Sequence, residues 1–200
     1  DPAAGMGFAS ADHPAKSERA RLLALALAVL LTRAGERIGL LGSALEIPRA
    51  GRNQLARMAM TLADQAPMPD TELMPKSGPV TPGHYVLVSD FLMDEADLLS
   101  GLAGLAQRGV HGALLQITDP AEESFPYDGR VIFQSMAGAV QFETRRARAL
   151  RSAYQNRLAE RRALLGDWAR RHGWQFTIHR TDAAPSAALL WLYAAIGGGR

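Results

Sequence analysis

The chain has 200 residues, no cysteine, and 22 basic against 20 acidic side chains, for a formal net charge of +2. Disulfides, thiolate metal sites and cysteine nucleophiles are thereby excluded, and the length suits one domain with a sizeable core. The apolar run Leu22 to Leu31 spans ten residues, short of the roughly 20 needed to cross a bilayer, so no membrane span is expected.

Helical and extended patterns alternate along the chain. Pro14 suits a first helical turn, and Lys16 to Arg33 follows as a broadly apolar helix ended by Gly35. Ile38 to Gly42 has the length of a short strand. Arg52 to Gln65 places Leu55, Met58, Ala59, Leu62 and Ala66 on one helical face. Pro67 stops that helix, and a proline-rich loop is expected as far as Pro82. Tyr85 to Val88 reads as a buried strand ending at Ser89-Asp90, Asp94 to Gln107 as a helix, and Ala113 to Ile117 as a strand closed by Thr118-Asp119-Pro120. Arg130 to Gln134 and Ala139 to Glu143 alternate around Met136-Ala137-Gly138, a hairpin signature. A long helix carrying Leu150, Tyr154, Leu158, Leu165 and Trp168 ends at Gly173. Trp174 to Arg180 is a further strand and Ser186 to Ile196 a last helix. Residues 1–196 form one domain in this reading, and 197–200 a disordered tail.

Charge is unevenly spread. Between Arg145 and His172 nine arginines stand against Glu160 and Asp167, a local balance of +7 that leaves −5 for the remainder. Such polarity suits an acidic partner, although a solvated helix face is the expected reading.

Strands alternating with helices imply a mostly parallel sheet, whose ligands bind beyond the carboxyl ends of the strands. Asp90, Asp119 and Asp182 end or closely follow strands. For Asp119 and Asp182 a turn or capping role is expected. There is no G-x-S-x-G elbow, no phosphate loop and no H-E-x-x-H motif. The five histidines share no ligand spacing, and His172 and His179 read as structural.

Several segments, in order, resemble the bacterial family called domain of unknown function 58, whose core is similar to the von Willebrand factor A module. They are D-P-A-A-G-M at Asp1, G-E-R-I-G-L-L-G at Gly35 to Gly42, V-L-V-S-D-F at Val86 to Phe91, D-P-A-E-E at Asp119 to Glu123, Y-Q-N-R-L near Tyr154, and G-W-Q-F-T-I-H-R-T-D at Gly173 to Asp182. The resemblance implies an α/β, Rossmann-like three-layer sandwich, a mostly parallel sheet flanked by helices, with a β-hairpin insertion near 130–143. It also implies that the family's first strand lies immediately before Asp1, so that the chain is cut at that strand's end.

The module's metal site uses D-x-S-x-S on the first strand. Here Asp1 matches the aspartate, but Ala3 and Gly5 replace the serines. Asp90 matches the aspartate after the fourth strand, and 49–53 lacks the usual threonine. Magnesium demands near-octahedral oxygen coordination, so the resemblance implies a degenerate site: no cofactor is expected, and any residual Mg2+ would rest on Asp1 and Asp90. Two such carboxylates repel unless neutralised, a role expected of Arg49 or Arg52.

The function expected is therefore a non-enzymatic protein-interaction module. Its interaction face would comprise Asp1, Arg49, Arg52, Asp90, Phe91 and Asp119, and its partner, as the resemblance implies, would be a MoxR-type AAA+ ATPase. A cytoplasmic location and no nucleic-acid partner are expected with it. The alternatives are nucleic-acid binding through the Arg145–Arg171 helix and a metal-dependent hydrolase using the strand-end aspartates.

Overall fold

The computed structural model describes residues 1–66, 83–129, 131–134, 141–144 and 147–197, with 131–134, 141–144 and 147 described by backbone alone. A 3-10 turn, Ala4–Gly7, leads into α1 (Lys16–Arg33) and α2 (Arg52–Ala63). Strand β1 (His84–Ser89), α3 (Glu95–Gln107), β2 (His111–Thr118) and the short α4 (Pro120–Ser124) follow. The rest comprises β3 (Val131–Gln134), β4 (Gln141–Thr144), α5 (Ala147–Arg171), β5 (Gln175–Arg180) and α6 (Pro185–Gly197).

Strands β1, β2 and β5 form a parallel sheet in the order β1-β2-β5. Strand β2 is central and buried along nearly its whole length, and its alternate side chains feed two cores. Ala113, Leu115 and Ile117 pack with Ala20, Leu23 and Leu27 of α1 and with Ala188, Leu192 and Ala195 of α6. On the opposite face Leu114 packs with Leu98, Leu102 and Leu105 of α3 and with Leu165 and Trp168 of α5. The period of two in a strand and the 3–4 residue spacing in helices explain this division. A second stripe of α1, at Ala24, Leu25, Ala28 and Leu31, meets Met58 and Leu62 of α2.

The hairpin expected near 130–143 is present as antiparallel β3 and β4, with Val131 opposite Thr144. Its turn, like the expected loop 67–82, lies outside the described residues. Three expectations need correction. Ile38 to Gly42 is not a strand: only an isolated antiparallel bridge joins Ile38 to Arg49. The β1 residues Tyr85 to Val88 are half-buried rather than buried, because among the described strands β1 pairs on one side only. Gly197, assigned to the tail, closes α6, while 198–200 lie outside the described residues. Among the described residues no helix is long and apolar enough to cross a membrane.

Candidate functional site

The carboxyl ends of the strands gather the polar groups of the molecule. Asp1 is held beside the end of β1. Its backbone N–H donates to the Val88 carbonyl at 3.1 Å, its carboxylate accepts from Ala3 N at 2.8 Å, and the Ser89 hydroxyl donates to it. The Ser89 oxygen also accepts from Phe91 N at 2.9 Å. This hydroxyl, a candidate nucleophile by residue type, is thus committed to the Asp1 carboxylate and to the Phe91 N–H of its own loop.

Asp90 follows Ser89 and is 5% exposed. One of its carboxylate oxygens accepts from Leu92 N at 3.1 Å, and the other lies 2.8 Å from Lys16 Nζ. Lys16 sits at the start of α1, only 1% exposed, and its ammonium also pairs with Glu122 of α4. Burial works against that charge, but Asp90 and Glu122 outweigh it and the Lys16 pKa is pushed up. The Phe8 ring centroid stands 5.9 Å from the ammonium.

Phe91 has φ +53, a left-handed backbone that a bulky residue rarely adopts. Its ring is 1% exposed in the core beside α3, which holds the conformation in place, and the next residue, Leu92, is 44% exposed.

Asp119 is fully buried and caps α4 through Ala121 N at 2.8 Å, as its sequence context suggested. It also accepts from the Ser10 N–H at 2.9 Å and from the Ser10 hydroxyl, while Glu122 returns a bond to Asp119 N at 2.9 Å. From the opposite side Arg162 of α5 donates to Gln116 Oε1 at 3.2 Å and pairs with Glu123. Gln116 in turn donates to the Asp90 carbonyl at 2.9 Å. Arg180 and Asp182 form an exposed pair at the rim.

These contacts revise the expected site. Arg49 and Arg52 are exposed, and no described hydrogen bond or ion pair takes either to Asp1 or Asp90. The neutralising cation is Lys16, which the sequence reading passed over. Asp90, Phe91 and Asp119 are too deeply buried to touch a partner directly. Leu92, not singled out from sequence, is the accessible side chain beside them. Ser10 and Glu122 were also missed. Neither stands at a strand end, and only the fold brings them there.

The residues do not fit a divalent ion. Ala3 and Gly5 offer no side-chain oxygen, the Asp1 carboxylate is taken by Ser89 and the Ala3 N–H, and Asp90 is taken by Lys16 and the Leu92 N–H. Among the described residues no three His, Asp or Glu side chains converge as a ligand set.

Comparison with known proteins places the chain. Residues 1–164 match the family model described as protein of unknown function DUF58. The chain belongs to the DUF58 family. No curated protein sequence matches it. Among solved structures, this DUF58 chain is similar to an aerotolerance-related membrane protein from Bacteroides fragilis bearing multiple mutations to serine, at 13% identity and a TM-score of 0.55, over 99% of this chain and 96% of the other. It is also similar to the conserved hypothetical protein BatB from Bacteroides thetaiotaomicron, at 14% identity and a TM-score of 0.52, over 100% and 96%. At such identity the likeness concerns the fold, an α/β arrangement around a parallel sheet, and not the activity.

Proposed function

We propose that this DUF58 chain is a non-enzymatic protein-interaction module of von Willebrand factor A-like type, with a metal site that has lost its hydroxyl ligands, and that it presents the carboxyl-end rim of its sheet to a MoxR-type AAA+ ATPase. The observation that carries this reading is the internal commitment of the strand-end groups. Asp1, Ser89, Asp90, Asp119 and Glu122 bond to one another's loops or to Lys16 and Ser10. Groups spent in this way hold loops in fixed positions and leave no free base or nucleophile among them. What a partner would meet is the rim above, where Leu92 is exposed next to strained Phe91, and strained backbone clusters at working surfaces.

The test is binding to a purified MoxR-type ATPase from the same organism, with and without ATP and magnesium, compared across two variants. Leu92→Asp combined with Arg49→Glu and Arg52→Glu is expected to abolish capture, while Arg148, Arg157 and Arg170→Ala on the exposed side of α5 is expected to leave it unchanged. Loss in the α5 variant alone would move the interface to the arginine helix.

A further inference from the structure

We infer that the Lys16 ammonium is a resident cation that takes the place of a divalent ion at the carboxyl end of the sheet. A buried charge must be neutralised where it sits. The Asp90 carboxylate is 5% exposed and the Glu122 carboxylate lies beside it, and the group between them is the ammonium of a lysine that is itself 1% exposed, at 2.8 Å from Asp90. An ammonium supplies three donors and one positive charge. It can therefore satisfy one oxygen from each carboxylate without the six oxygens that magnesium would demand. The loop beside it is poor in metal ligands: residues 3 and 5 are Ala3 and Gly5, which offer no side-chain oxygen, and the Ser10 hydroxyl is turned to Asp119. Arginine outnumbers lysine 20 to 2 in this chain, yet the group at this position is the compact, point-like ammonium of a lysine. Whether or not the face engages a partner, Lys16 fixes α1 to β1 and α4 and makes the cluster independent of metal supply.

The experiment replaces Lys16 with Ala and follows thermal unfolding and the Mn2+ electron paramagnetic resonance spectrum, in EDTA and in millimolar Mn2+. Wild type is expected to show the same Tm in both and to leave the Mn2+ spectrum that of the free ion. Lys16→Ala in EDTA is expected to melt about 10 °C lower or not to fold. Addition of Mn2+, during refolding if need be, is expected to restore much of the loss and to broaden the spectrum, and adding Glu122→Gln is expected to abolish that rescue. Saturable Mn2+ binding by wild type would overturn the inference. So would a Lys16→Ala protein, folded or unfolded, that Mn2+ does not rescue, because the lysine would then be an ordinary buried ion pair.

Discussion

At the scale of single residues, Arg19 and His179 form a second buried polar unit that titrates. Arg19 donates to the Thr181 carbonyl at 2.7 Å and to the Ala183 carbonyl, and its Nη1 lies 2.9 Å from His179 Nε2. A guanidinium only donates, so Nε2 must accept and the imidazole is neutral with its proton on Nδ1. Burial first, then the Arg19 charge, hold the His179 pKa down to about 4, with Asp182 opposing. The unfolded chain therefore binds a proton below about 6.5 that the folded chain refuses until about 4. The stabilisation is complete above pH 6.5 and is lost as pH falls through that window, by at most about 3 kcal/mol. Tm should fall by about 4 °C more between pH 7 and pH 4.5 in wild type than in His179→Gln, whose amide oxygen can still accept from Arg19. Equal slopes would show that His179 does not titrate differently on folding. Gly112 gives a sharper expectation. A Cβ there would stand 1.8 Å from the Tyr85 carbonyl oxygen across the β1–β2 ladder, so Gly112→Ala must part the strands and should cost about 3 kcal/mol or more in denaturant unfolding.

At the scale of elements, the ten-residue apolar run of α1 is buried on two sides, not one. Leu23 and Leu27 face the sheet, while Ala28 and Leu31 reach toward α2. Leu22 remains 51% exposed, which leaves one polar-tolerant edge. Leu27→Asp places an unpaired carboxylate in that core and should cost about 3 to 5 kcal/mol, a large share of the roughly 5 to 15 kcal/mol that holds a domain together. Circular dichroism should show an unfolded or cold-labile protein, whereas Leu22→Asp should fold with a Tm within a few degrees of wild type. Period and punctuation made α1, α2, α3, α5 and α6 legible, since each combines an apolar stripe with a stop signal. They failed at Ile38 to Gly42, where Gly39 packs against the Glu46 and Leu45 carbonyls and the apolar residues serve a loop core rather than a ladder. They failed too for the ion pair of Lys16, whose partners lie 74 and 106 residues away. No local spacing encodes such a pair. The faint signal was a rare lysine at the head of a helix destined for burial.

At the scale of the whole molecule, the sequence's strongest charge feature turns out to be divided in its use. Of the arginines on α5, Arg162 is spent on Glu123 and Gln116 across the polar network, Arg151 Nε donates to the Phe125 carbonyl at 3.0 Å, and Arg161 is half-buried. Arg148, Arg157, Arg170 and Arg171 are exposed, and Arg170 already pairs with Asp167. The local balance of +7 is thus not a continuous phosphate-binding stripe, and the aromatic residues that could stack on bases are occupied: Tyr154 lies 5.1 Å from Phe125 and Trp168 5.4 Å from Trp174, centroid to centroid. Among the described residues of α5, the three exposed arginines without a described carboxylate partner, Arg148, Arg157 and Arg171, would release about three counterions, so log K against log salt should have a slope of about −3. Random duplex or single-stranded DNA should bind no more tightly than about 10⁻⁴ to 10⁻⁶ M at physiological salt. Fluorescence anisotropy across a salt series decides this. A slope steeper than about −6, or nanomolar affinity, would mean that Arg151 and Arg162 leave their partners on binding, and would make the arginine helix the working surface of the protein.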